Sequence, residues 1–144
     1  EAFTGRKNCR NQCTYNSDTN GGVFASPVVG KKDIDNLVIF NIAKAWNKNG
    51  GKLIAFDKET GKEIWVINFN NYSWSSPVDI YTQDGKSYLI YCDSAGYMYL
   101  IEGKTGEILD KIPLGGNVEG SPAVYEDMVV VGTRGQQIFG IKIK

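Results

Sequence analysis

Gly51-Lys-Leu-Ile-Ala-Phe-Asp-Lys-Glu-Thr-Gly61 and Gly96-Tyr-Met-Tyr-Leu-Ile-Glu-Gly-Lys-Thr-Gly106 are two copies of one pattern, 45 residues apart. Each opens on glycine, runs through a largely apolar stretch, reaches an acidic residue and closes on Thr-Gly. Gln137-Ile-Phe-Gly-Ile-Lys-Ile-Lys144 repeats the first half of the pattern. Three Ser-Pro pairs mark the same units independently: Ser26-Pro27, Ser76-Pro77 and Ser121-Pro122, with the prolines spaced by 50 and then 45 residues. Self-similarity at a period of this size is the signature of a chain built from stacked supersecondary units.

Within each unit the pattern is that of short strands. Leu37 to Ile42, Tyr88 to Cys92 and Met128 to Val131 are rich in β-branched and aromatic residues, as strands are. Gly51 to Asp57, Gly96 to Glu102 and Gln136 to Lys142 form a second set, bounded by Gly, Asn or Asp turn signals. Lys62 to Phe69 and Glu107 to Leu114 follow the Thr-Gly turns. With a short strand after each Ser-Pro, the unit holds four strands in about 45 residues, the size of one propeller blade. A β-sandwich also has short strands, but its sequence does not repeat at this period. No amphipathic helix is present to cover a parallel sheet. The expected fold is all-β, a β-propeller of four-stranded antiparallel blades. About three blades are present, a segment of a larger propeller of about six to eight blades. The boundaries are a partial blade over 1–25, blades over 26–75 and 76–120, and an incomplete blade over 121–144.

Composition narrows the chemistry. Sixteen Lys and Arg balance sixteen Asp and Glu, so the electrostatic footprint of a nucleic-acid binder is missing. No apolar stretch approaches the ~20 residues of a membrane helix. No leader is visible, and a chain opening on Glu1 is expected to have been trimmed. There is no histidine, which removes the commonest general base and metal ligand and any Ser-His-Asp or Cys-His pair. Three cysteines are too few for a Cys₄ zinc site. Cys9 and Cys13 lie in a loop-like stretch and are read as free thiols or a local staple; Cys92 is read as a small core residue.

Ala55-Phe-Asp57-Lys-Glu-Thr60-Gly61-Lys-Glu-Ile-Trp65 has the form Ala-x-Asp-x-x-Thr-Gly-x-x-x-Trp. It resembles the tryptophan-docking motif of the PQQ-like (quinoprotein alcohol dehydrogenase-like) β-propeller repeat family. The motif returns in altered form from Leu100 to Asp110, with Asp110 in the tryptophan position, and a remnant, Thr4-Gly5, sits near the start. Thr60-Gly61 suits a hairpin turn, because glycine takes positive φ without Cβ strain. Asp57 can accept hydrogen bonds from that turn, and Ala55 leaves room for close packing. The resemblance implies that Trp65 stacks across to the next blade, which makes the motif structural; the competing reading is a cofactor-stacking ring. It also implies an extracytoplasmic setting: periplasm, cell surface or secreted. Quinone enzymes of this family carry two adjacent cysteines beneath the quinone, and no Cys-Cys pair exists here. No catalytic residue, metal site or cofactor is therefore expected, PQQ with Ca²⁺ included.

Ligand-binding positions follow from the repeat. Loops from a fourth strand to the next first strand share a face with loops between second and third strands. The residues two before each Ser-Pro serine, Phe24, Trp74 and Glu119, are equivalent and should face the channel mouth. Trp46 and Tyr72 add aromatics suited to sugars, peptides or protein loops; the competing reading packs Trp46 and Trp74 between blades. The expected function is a non-enzymatic binding or scaffold module with a protein or glycan ligand on this face. Alternatives are part of a PQQ-dependent alcohol dehydrogenase and a glycan-binding module. Open sheet edges also point to self-association, two copies completing a ring of about six blades.

Overall fold

Short β-branched and aromatic runs between turn residues leave the backbone little choice but antiparallel hairpins, and among the described residues eleven strands form three such sheets. The computed structural model describes residues 21–45 and 48–143; Thr4, Gly5, Cys9, Cys13 and Trp46 lie outside them. The first sheet holds β1 (Val28–Val29), β2 (Leu37–Ala43), β3 (Gly51–Asp57) and β4 (Glu63–Phe69) in that order. The second holds β5 (Val78–Tyr81), β6 (Ser87–Cys92), β7 (Tyr97–Glu102) and β8 (Ile108–Pro113). The third holds β9 (Ala123–Tyr125), β10 (Met128–Gly132) and β11 (Ile138–Lys142). Each is a simple meander, and together they are three blades of a partial β-propeller. The register shifts between Ala55 and Phe56, and again between Leu100 and Ile101. The same bulge therefore precedes both Thr-Gly turns and twists each hairpin alike.

Five strand starts differ from the sequence expectation by a residue or two, β4, β6 and β8 by one residue each. β7 begins at Tyr97 and β11 at Ile138, because Gly96 (φ 82°) and Gln136 (φ 61°) are left-handed turn residues and end the extended run. A 3-10 turn at Lys32–Ile34 has no counterpart in the strand pattern. It drives Ile34 fully into the core and crosses so close to Gly30 that a Cβ there would sit 1.9 Å from the Ile34 carbonyl oxygen.

The core lies between blades. Leu37, Ile39, Leu53, Ala55 and Trp65 of the first blade meet Leu89, Tyr91, Tyr99 and Ile101 of the second. Ile90, Cys92 and Met98 point the other way and meet Val129 and Val131 of the third. Side chains alternate across a strand, so a middle blade must be apolar on both faces, and Leu89 to Cys92 forms an unbroken apolar run. The free thiol of Cys92 is sealed in the second seam.

The Ser-Pro pairs have a role beyond marking the period. The Ser26 N–H donates to Ser76 Oγ at 2.9 Å, and the Ser76 N–H donates to Ser121 Oγ at 3.0 Å. Each serine thus ties the entry of one blade to the entry of the next.

Burial makes the folded chain alkali-sensitive. It pushes the Cys92 thiol up to about 12, reinforced by the Asp93 charge. Tyr81 is pushed up to about 12 by burial and its bond to Asp79, and Tyr91 and Tyr99 are raised further by burial and Asp93. Raised folded values mean that the native state holds these protons more tightly than the unfolded chain. This stabilisation is complete below the unfolded values and is lost as pH climbs through the folded ones. With no imidazole in the chain, the urea midpoint should stay level between about pH 6 and 8, then fall from about pH 9 as the thiol and then the tyrosines of the unfolded chain ionise. A midpoint that holds to about pH 12 would show that these groups ionise freely in the fold.

Candidate functional site

The docking-motif residues occupy the seam between the first two blades. Asp57 Oδ1 accepts the N–H of Thr60 at 2.8 Å, the Thr60 hydroxyl at 2.8 Å and the Glu59 N–H at 3.2 Å. The Thr60 bonds, backbone first, hold its carboxyl below the usual carboxylate range. Gly61 takes φ 68°, which completes the hairpin into β4. Ala55 pairs directly with Trp65 and is fully buried. The Trp65 indole crosses to the second blade, where Nε1 donates to the Gly103 carbonyl at 3.1 Å. Gly106, at φ 76°, lies against the ring, and a Cβ there would come within 2.8 Å of it.

Asp110 pairs with Leu100 as Trp65 pairs with Ala55. Among the described residues, no ring fills the second seam at this place. A cleft of about 330 Å³ opens there, walled by Met98, Leu100, Ile112, Ile141 and Ile143 with Asp110 on its rim.

The second arrangement is on the face formed by the β2–β3 and β4–β5 loops. Phe24 and Trp74 come from successive blade entries, and their rings meet edge-to-face at 4.6 Å. Tyr72 packs edge-on against Trp74 at 5.1 Å. Lys44 Nζ lies 5.1 Å from the Tyr72 centroid and 5.6 Å from that of Trp74. Phe24 is 61 % exposed and Val23 beside it 51 %. Three aromatics and a cation therefore share one accessible patch.

Buried polar groups fix the loop beneath this patch. Asn41 Nδ2 donates to the carbonyls of Ser73 (3.1 Å) and Ser75 (3.0 Å). Asp93, fully buried, accepts from the N–H groups of Ala95 and Tyr97, the Tyr99 hydroxyl and Asn71 Nδ2. The Ser94 N–H donates to the Tyr72 carbonyl at 2.8 Å. Gly51 lets this loop pack closely, since a Cβ there would stand 3.0 Å from Tyr72 Cα.

Compared with known families, the model of outer membrane protein assembly factor BamB, built on PQQ-type repeats, matches residues 49–144. The chain belongs to the BamB family. Outer membrane protein assembly factor BamB of Kangiella koreensis is 28% identical over 85 residues, covering 58% of this chain and 21% of that protein. The BamB-family chain thus spans about a fifth of this curated relative's length. Among solved structures, the computationally designed Ika8 protein is similar with TM-score 0.51 and 11% identity, over 84% of this chain and 46% of that one. That likeness concerns the fold alone. A europium-containing methanol dehydrogenase gives TM-score 0.44 and 18% identity, over 73% and 20% of the two chains.

In this BamB-family segment the third blade entry departs from the aromatic pattern. Glu119, the position equivalent to Phe24 and Trp74, accepts from Arg134 at 3.0 Å and from Asn117 Nδ2 at 3.2 Å. The Arg134 N–H donates to the Asn117 carbonyl, as Ser94 does to Tyr72. The face therefore has an aromatic, cationic sector beside a neutralised polar one. Lys44, Asn41 and Asp93 were not singled out by sequence reasoning; an Asp shortly before Ala95-Gly96 was the one available signal, and it reads as an ordinary turn.

Proposed function

We propose that this BamB-family segment is part of a non-enzymatic, extracytoplasmic propeller that holds a protein partner on the face bearing Phe24, Tyr72 and Trp74. The observation that carries this is the aromatic patch, exposed at Phe24 and half-buried at Tyr72 and Trp74, on a loop fixed from below by Asn41 and Asp93. Aromatic anchors on a pre-ordered surface lose little entropy on binding. The relative's role as an outer membrane protein assembly factor supports both the setting and a protein as ligand. Quinone chemistry fits these residues poorly. The sequence has no adjacent cysteines, and Cys92 is shut in a seam far from solvent. A glycan fits less well than a peptide, since the Lys44 ammonium lies over the faces of Tyr72 and Trp74 where a sugar ring would stack.

In the full-length protein, a photo-crosslinking residue in place of Phe24 should give an adduct with another envelope protein. Trp74→Ala should cut its yield about tenfold or more, as for a hot-spot aromatic. A probe in place of Glu59, on the opposite hairpin turn, should give none. Equal yields from both positions, or none from Phe24, would overturn the assignment of this face. Dye-linked alcohol oxidation on adding PQQ and Ca²⁺ would overturn the non-enzymatic reading.

A further inference from the structure

We infer that the segment taken by this face is acidic and carries an aromatic or large apolar side chain beside its carboxylates. This rests on the reading of the face as a protein-binding site and specifies the partner's chemistry.

Lys44 is the central observation. Its backbone sits at φ 55°, a left-handed conformation uncommon for a residue with a Cβ. Ala43, Ser94 and Arg134 make the same backbone bond, to the carbonyls of Gly22, Tyr72 and Asn117. The residues that follow them, Lys44, Ala95 and Gly135, are therefore equivalent. Only the first blade has a long charged side chain here, and it is laid across the two aromatic rings. A strained residue that places a specific group on a surface points to use of that group.

The charge of Lys44 is unanswered within the described residues: no carboxylate lies within ion-pair distance of its ammonium. The carboxylates of the neighbouring sectors are already engaged. Glu119 is paired with Arg134, and Asp93 is buried with four donors on its two oxygens. Exposed Lys48 lies in the same loop as Lys44 and adds to the positive sign. In a chain of zero net charge this is a locally cationic sector, and its complement is a carboxylate. The cation–π contacts hold the ammonium in place, so an arriving carboxylate need not order a free lysine. Exposed Phe24 and Val23 supply the apolar contact next to it.

The test is isothermal titration of the protein with two blocked peptides, acetyl-Gly-Asp-Phe-Asp-Gly-amide and the same peptide with lysines for both aspartates, and with a neutral oligosaccharide. The acidic peptide should bind about fivefold or more tightly than the basic one, and more weakly as salt rises. It should shift the Trp74 indole N–H resonance. Lys44→Gln should abolish the preference and Lys44→Glu reverse it, with the urea midpoint of each variant unchanged. Equal affinities would overturn the inference while leaving the face a protein site. If neither peptide bound, the inference would fall, and the crosslinking at Phe24 would decide separately whether the face binds protein. Binding of the oligosaccharide without either peptide would replace it with a glycan site.

Discussion

Trp65→Ala is expected to cost about 3–5 kcal/mol in a urea titration, the range for truncating a buried tryptophan. The ring is 9 % exposed, spans the first seam and donates to a backbone carbonyl of the next blade. Truncation leaves an indole-sized void and an unanswered carbonyl at Gly103. Gly106 and Leu53 cannot collapse into it, because both are set by the hairpins around them. Asp110→Ala is the matched control. Asp110 stands at the same register position but is exposed, so its removal should change stability by less than about 0.5 kcal/mol. Similar losses from the two substitutions would show that the seam does not depend on the indole.

Asp93→Ala should be comparably damaging, at about 3–5 kcal/mol, because it strips the acceptor from a buried, charge-assisted network. Two backbone N–H groups, a tyrosine hydroxyl and an asparagine amide would lose their partner together. Asp93→Asn keeps one oxygen but turns an N–H₂ toward Asn71, and should cost about 1–2 kcal/mol. The damage should also reach the binding face, since Asn71 and Ser94 steady the loop carrying Tyr72 and Trp74. A thermal melt with near-ultraviolet circular dichroism reads both effects. A native melt for Asp93→Ala would mean that water can serve those four donors equally well.

The parts of this structure that were legible in the sequence are those fixed by local chemistry and by period. Thr60-Gly61 and Thr105-Gly106 declare their hairpins, since both demand glycine at positive φ. The Ser-Pro spacing set the blades in register, and register alone put Phe24 and Trp74 at equivalent sites that prove to touch. Three features depend on the stacking of blades and left no local trace. The left-handed turn at Lys44 is not encoded by any residue preference. Asp93 looks like an ordinary turn aspartate until Asn71 and Tyr99 close over it from another loop and strand. Ser76 and Ser121 served as rulers, while their hydroxyls' partners lie 50 and 45 residues away.

The two seams are unequal, and this has a mechanical consequence. Repeat arrays behave nearly as one-dimensional chains, in which each interface sets how strongly neighbours open together. The first seam is bolted by an indole and sealed by Tyr91 and Tyr99. The second has a cleft where that bolt would be. Within the described residues, the joint between the first two blades should therefore be the stiffer of the two, and the joint to the third the more readily opened. The aromatic sector of the face rides on the stiffer joint. The Glu119–Arg134 sector straddles the compliant joint, so the same face offers a partner a fixed anchor at one end and a yielding grip at the other.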